Sequence, residues 1–295
     1  MRIFQVDAFT AARFAGNPAA VVLDADAQND AILQSVAREF AHAEVAFVSA
    51  AQGADHDVRV RFFNARKEAA FVGHATVAAH AVLLAVGRRK PGVWRQHSGT
   101  GIIQVSAHVQ NSHVNVEFRQ SAPELETPLP LKTTLRVAEA LRLPATHLHE
   151  LMPARIARRG STRLLVPIAH RDYLNDLMPN FDTLVSLGTE FGADGFFVFA
   201  LDEKSEAVAT ESRMFCPALG IPEDPVSGNA HAMLAAYLWD LGAFDDKPTN
   251  FVGKQGRHVG RPGEVRVRLE VLNGELQAVH IGGSAVIVSE GTLAV

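Results

Sequence analysis

A single cysteine, Cys216, occurs in the 295 residues, so no disulfide can form within the chain. No Asn-x-Ser/Thr glycosylation site is present. There is no Walker loop and no Gly-x-Gly-x-x-Gly dinucleotide turn. Thirteen histidines are scattered along the chain, and even His147-Leu148-His149 lacks cysteine and histidine partners at zinc spacing. Gly160-Ser161-Thr162 lacks the flanks of a nucleophile elbow. A net charge of −4 offers no electrostatic reason to expect nucleic acid or an anionic membrane as partner. One run, residues 69–86, has 18 residues without Asp, Glu, Lys or Arg, the lower limit for a membrane span. Gly73, His74 and His80 interrupt it and no second run accompanies it. It therefore reads as a helix buried on all sides in the centre of a large domain. Residues Met1 to Phe9 read as a strand rather than a signal peptide, which predicts a cytoplasmic protein.

What is present is ordinary in composition, with 47% hydrophobic and 20% charged residues, and long enough for two domains. Two similar segments stand about 150 residues apart. Phe71-Val72-Gly73-His74-Ala75-Thr76 runs into an apolar stretch ending at Val86, and Glu223-Asp224-Pro225-Val226-Ser227-Gly228-Asn229-Ala230-His231 runs into another ending at Trp239. In each, a glycine and polar residues precede a nearly all-apolar helix. A helix N-terminus carries unpaired N–H groups and a partial positive charge, so each segment is a candidate half-site for a small anionic substrate.

The element order repeats around these helices. In the first half, the turn Gly16-Asn17-Pro18 leads to a strand at 19–23, and Asn29 or Asp30 caps a helix to Phe40 with Ile32, Leu33, Val36 and Phe40 on one face. Strands are expected at Glu44–Val48, 58–63, 101–107 and 113–118, and the first apolar helix ends at Gly87 before Arg88, Arg89, Lys90 and Pro91. The proline-rich stretch 121–129 reads as a linker. The second half is expected to hold a helix from Thr134 to Leu143, strands at 163–168 and 195–201, the second apolar helix at 228–241, and a hairpin turning at Asn273-Gly274. Gly282-Gly283 then precedes a strand at 285–288. The predicted class is α+β, with two pseudo-symmetric domains, each a curved sheet or barrel around a central helix. They comprise 1–120 with 283–295, and 130–282.

Three side chains are candidates for chemistry. Glu44, in a strand face shared with Ala46 and Val48, would have its pKa raised by burial and carry protons near neutral pH; the alternative is a solvated edge glutamate. His74, at the start of the first apolar helix, could donate to a substrate oxygen or move a proton; the alternative is a core histidine satisfied by backbone. Asp224 could cap the second helix or orient a polar substrate group. Gly73, Ala75 and Thr76 at one helix start, and Ser227, Gly228 and Asn229 at the other, are candidate substrate-binding residues.

Several segments resemble the PhzF-like isomerases of phenazine biosynthesis, in family order and over nearly the whole chain. They are Phe4-x-Val6-Asp7-Ala8-Phe9, Phe14-Ala15-Gly16-Asn17-Pro18, Gly73-His74-Ala75-Thr76, Arg213-x-Phe215-x-Pro217, Glu223-Asp224-Pro225-Val226-x-Gly228 and Gln255-Gly256…Gly260-Arg261-Pro262-Gly263. The resemblance implies a diaminopimelate-epimerase-like fold with the active site between the lobes, a homodimer, a biosynthetic role, and an isomerase that needs neither metal nor organic cofactor. It also implies that Glu44 shuttles a proton while His74 and Asp224 complete the catalytic set. Departures are Ala41 and Ala43 before the glutamate, Asn64-Ala65, Val72 in place of a cysteine, and Asn229 in place of a serine. Racemases of this architecture use two facing thiols; with Val72 and a lone Cys216 that mechanism has no residues here. The readings are then a proton-shifting isomerase acting on a small carboxylate or, alternatively, an inert small-molecule-binding protein on the same fold, with an amino-acid racemase or epimerase as the third option.

Overall fold

The computed structural model describes residues 1–40, 44–202, 208–244 and 248–294. The chain divides into two compact units, Met1–Gln120 with Ile281–Val295, and Ser121–His280. Both are mixed α/β with few helices. The first contains β1 (Arg2–Ala8), β2 (Asn17–Leu23), α1 (Asp30–Glu39), β3 (Val45–Ala50), β4 (Val58–Phe63), β5 (Glu68–Ala69), α2 (Gly73–Ala85), β6 (Gly92–Ser98), β7 (Gly101–Gln110) and β8 (His113–Ser121). The second contains β9 (Glu124–Leu125), α3 (Leu131–Ala140), β10 (Arg155–Arg158), β11 (Thr162–Pro167), α4 (Phe181–Phe191), β12 (Gly195–Leu201), β13 (Ala209–Cys216), β14 (Ile221–Asp224), α5 (Gly228–Asp240), β15 (Asn250–Gln255) and β16 (Gly263–Leu272). The last strand, β17 (Glu275–Thr292), begins in the second unit and ends in the first.

The pairing order repeats. In the first unit β1 is antiparallel to β2, β2 parallel to β3 across α1, β3 antiparallel to β4, β4 parallel to β6 across α2, and β6 antiparallel to β7. In the second, β10, β11, β12, β13, β15 and β16 follow the same sequence, with α4 and α5 in the crossovers. A parallel pair needs a long crossover, and a helix fills each one. α2 packs against β1, β2, β3, β4 and β7, and α5 against β9, β10, β11 and β16. Every residue of α2 from Ala75 to Leu83 is buried, as is every residue of α5 from Ala230 to Leu238. That is why the two helices read as apolar on all faces. No helix among the described residues is long and apolar enough to cross a membrane.

Several expectations need correction. Glu44 lies one residue ahead of β3 rather than within it. The second-unit helix α3 starts at Leu131, not Thr134. Part of the proline-rich stretch 121–129 is laid into the second unit: β9 pairs with β10, and the Leu129 N–H donates to the Ala154 carbonyl. Gly282-Gly283 does not break the chain into a new strand but lies inside β17. A Cβ on Gly283 would come within 2.4 Å of the Phe9 ring, so the glycine marks close packing rather than a turn.

The helices fully bury His80 in α2 and His231 in α5, and His74 at the start of α2 is largely buried. His80 Nε2 meets Gln96 Oε1 at 2.9 Å, and its ring stacks on Trp94. His231 Nδ1 donates to the Ser227 carbonyl at 2.7 Å. Burial pushes all three imidazoles down to about 4, so they are neutral in the folded protein near neutral pH. Unfolding returns them to an ordinary value of about 6.5, where they take up protons as the pH falls. The unfolded state then binds more protons than the folded one, so stability drops on acidification between about pH 6.5 and 4. Each histidine contributes up to about 1.4 kcal/mol per pH unit in that window. Urea unfolding midpoints should fall steeply from pH 6.5 to 4.5, and His80→Gln should flatten the slope; a midpoint independent of pH there contradicts the assignment.

Candidate active site

In the first unit, Val72 is the N-cap of α2, with extended backbone (φ −139°, ψ 115°) and no side-chain cap. Its carbonyl accepts from Thr76 N–H at 2.9 Å, the first bond of the helix. The N–H groups of Gly73, His74 and Ala75 therefore point out of the helix end without a capping side chain. Thr76, expected at this end, is fully buried, and its hydroxyl oxygen accepts from Gln96 Nε2 at 3.4 Å, so it belongs to the core. Gly73 packs closely on the Phe118 ring, which a Cβ there would approach to 3.1 Å.

Glu44 and His74 meet at this end. His74 Nε2 lies 3.3 Å from Glu44 Oε2, and their side chains are only 12% and 19% exposed. The contact is at ion-pair distance, but the His74 nitrogen makes no hydrogen bond. The carboxylate would favour a charged imidazole and burial disfavours it. With no aligned hydrogen bond to offset desolvation, burial prevails and holds His74 down at about 4. The pair at pH 7 is a neutral imidazole beside a largely buried carboxyl group. Ala41 and Ala43, which precede Glu44, lie outside the described residues.

The second unit holds the other candidates. Asp224 is the last residue of β14 and does not cap α5. Ser227 does: its side chain accepts from Ala230 N–H at 3.3 Å. Its own N–H donates to Gln255 Oε1 at 3.1 Å, and Gln255 Nε2 donates to the Asp224 carbonyl at 2.7 Å. One glutamine side chain thus clamps both ends of the Asp224–Ser227 loop. Gly256 next to it has φ +87°, and a Cβ there would sit 2.2 Å from the Arg261 carbonyl and 2.7 Å from that of Pro225. Asn229, expected to donate to substrate, spends its amide on the chain: Nδ2 donates to Ser161 Oγ at 2.7 Å and to the Arg159 carbonyl at 3.2 Å. Gly228 is buried at the first position of α5.

The residue before Asp224 is anchored by a buried ion pair. Arg213 donates to Glu223 through Nε at 3.0 Å and Nη2 at 2.7 Å, and through Nη1 to the carbonyls of Leu174 and Leu177. Each partner's side chain is 10% exposed. The guanidinium also lies over the Phe215 ring. These positioning residues were visible in the sequence as motif positions, but their spacing of ten residues did not reveal that they pair. Among the described residues, no cluster of histidine, cysteine, aspartate and glutamate could hold a metal ion.

The profile of the family described as phenazine biosynthesis-like protein matches residues 6–291. The chain belongs to this PhzC-PhzF family. An uncharacterized isomerase of Salmonella typhimurium is 37% identical over 290 residues, covering 97% of this chain and 96% of that protein. Another from Clostridium acetobutylicum is 33% identical over 293 residues, covering 99% and 97%. Among solved structures, the PhzF-family phenazine biosynthesis protein of Bacillus anthracis aligns with a TM-score of 0.89 at 26% identity, covering 100% of this chain and 99% of that one. A probable proline racemase from Agrobacterium radiobacter shares the fold at a TM-score of 0.66 and 12% identity, covering 99% and 92%. With curated relatives named as isomerases, this PhzF-family chain is assigned to the isomerases at that level.

Breaking a buried pair strands its partner's charge. Arg213→Met or Glu223→Gln should each cost about 3–5 kcal/mol in urea unfolding, and the double variant Arg213→Met/Glu223→Leu should recover part of that loss. Single losses below about 1 kcal/mol would class the pair with exposed surface bridges and remove its anchoring role.

Proposed function

We propose that this chain is a cofactor-independent isomerase that moves a proton within a small carboxylate-bearing substrate. The observation that carries the reading is the Glu44–His74 pair at the uncapped start of α2. Glu44 takes the proton from one carbon of the substrate and returns it to another on the same face, shifting a double bond between the two events. The substrate carboxylate accepts from the N–H groups of Gly73, His74 and Ala75, where the positive end of the helix also stabilises the charge that develops on proton removal. His74 supports this step as a neutral donor. An imidazolium at 3.3 Å would tie the carboxylate into an ion pair, whereas a neutral ring leaves it able to accept a proton.

The family resemblance extends the proposal to Asp224, Ser227 and Gly228 of the second unit as substrate-binding residues, with Asp224 orienting a polar group. The two-thiol racemase reading has no support in the residues. Val72 stands at the cap of α2, and Cys216, at the end of β13, is buried at 2% exposure. The proposal includes a homodimeric, cytoplasmic enzyme in a biosynthetic pathway, as the resemblance implies.

The test is solvent exchange. A thermal-shift screen of small carboxylic acids identifies a bound compound, and NMR in heavy water then follows deuterium entering its carbon framework. Glu44→Gln should keep binding and lower exchange by about 10²–10⁴-fold, the usual worth of a positioned acid–base group. Exchange at the wild-type rate in that variant removes Glu44 from the mechanism; no exchange in the wild type makes the protein an inert binder.

A further inference from the structure

His231 stands in the first turn of α5, four residues after the cap Ser227. Its ring is fully buried and meets Phe197 edge-on, with centroids 5.2 Å apart. The ring makes one hydrogen bond among the described residues, from Nδ1 to the Ser227 carbonyl at 2.7 Å. A carbonyl only accepts, so Nδ1 carries the proton and Nε2 the lone pair. Nε2 is buried and has no hydrogen-bond partner among the described residues. Burying an imidazole with one nitrogen unpaired costs free energy that an apolar side chain would not incur. The neighbouring strand is also shaped around the ring. A Cβ on Gly253 of β15 would lie 2.1 Å from His231 Cδ2 and 2.3 Å from Nε2. Gly253 does not have a positive φ, so the histidine, not the local backbone, requires the glycine.

The Ser227 carbonyl explains what this arrangement achieves. It accepts twice from one residue, from the His231 N–H at 3.2 Å and from Nδ1 at 2.7 Å. The Ser227–Gly228 peptide unit is planar and trans, so its carbonyl and the Gly228 N–H point in opposite directions. Holding the carbonyl along the helix aims the Gly228 N–H out of the helix end. That N–H has no acceptor within α5, and the capping Ser227 side chain is bonded to Ala230 N–H instead. Gly228 is itself buried, and a buried N–H at the positive end of a helix is a ready donor to an anion. In α2 the residue four beyond the cap is Thr76, whose hydroxyl is engaged with Gln96.

We propose that His231 is a positioning residue for anion binding at α5: its Nδ1–H fixes the Ser227–Gly228 peptide so that the Gly228 N–H meets a carboxylate of the substrate, and Gly253 admits the ring. This rests on the reading of Gly228 as a substrate-binding residue and names the group that orients it.

Proton–nitrogen NMR of the labelled full-length protein tests it, with acetate as the probe. Acetate should shift the wild-type Gly228 amide along a saturating curve. His231→Leu removes the donor, and Gly253→Ala displaces the ring without altering it. Each should raise the acetate dissociation constant read at Gly228 by about fivefold or more, the worth of roughly one hydrogen bond. His231→Asn places an amide N–H near the Nδ1 position and should recover most of the affinity, although its smaller side chain leaves the variant less stable than the wild type. A purely structural role predicts instead that affinity follows the thermal midpoint across the three variants, and that result overturns the proposal. Long-range spectra of the wild type need no variant to fold and should show His231 as the neutral Nδ1–H tautomer. An Nε2–H tautomer, or a wild-type Gly228 amide indifferent to acetate, also overturns it. Solvent exchange in Glu44→Gln tests the isomerase reading on its own. Exchange with an indifferent Gly228 amide sinks the positioning role alone, and His231-dependent acetate binding without exchange sinks the isomerase reading alone.

Discussion

The arrangement depends on one constraint: each unit buries a helix that is apolar on every face, and a buried helix must do something with its positive end. In α5 the chain supplies the answer, with Ser227 bonded to the Ala230 N–H and Gln255 locking the serine in place. In α2 it does not. Valine occupies the cap, no side chain turns back, and the first acidic group nearby is Glu44, in contact with the His74 ring. An uncapped end beside a carboxyl group and a neutral imidazole is poorly arranged for stability and well arranged for an anionic ligand that loses a proton.

Much of the surrounding sequence acts to hold these ends still. Asp7 accepts from the Phe14 N–H at 2.6 Å and so closes the loop after β1, while Gly16 has no room for a Cβ, which would sit 2.2 Å from the Ala8 carbonyl. Arg213 and Glu223 pin the strand that ends at Asp224, and Gln255 pins the loop that follows it. The motifs that carry the family resemblance are therefore largely clamps. Preorganisation of this kind is what positions a reacting group within a few tenths of an ångström.

The two apolar helices, their starts at Gly73 and Gly228, the Asn29 cap of α1 and the hairpin at Asn273-Gly274 were legible because each rests on local chemistry: a period, a cap or a turn. The strands β6, β10 and β13 were not, since they mix charged and apolar residues and are stabilised by their pairing partners. The helix α4 carried a readable Asn180 cap and a Gly192 stop that went unused. At the site, Glu44 and His74 could be named from the sequence, but their contact joins residues 30 positions apart and needs the fold. Asn229 illustrates the limit most clearly. Its type and position suggested a substrate donor, and only the fold shows that its amide is occupied by Arg159 and Ser161.

The central claim is that burial keeps His74 neutral beside Glu44. Long-range proton–nitrogen NMR of histidine-labelled protein reads the charge and tautomer of that ring directly, with His74→Gln assigning its signals. The account predicts a neutral imidazole throughout pH 5 to 8, with protonation centred at about 4. A His74 ring that titrates at or above the ordinary value of about 6.5 would show that the Glu44 carboxylate, not burial, sets its charge, and would contradict the account.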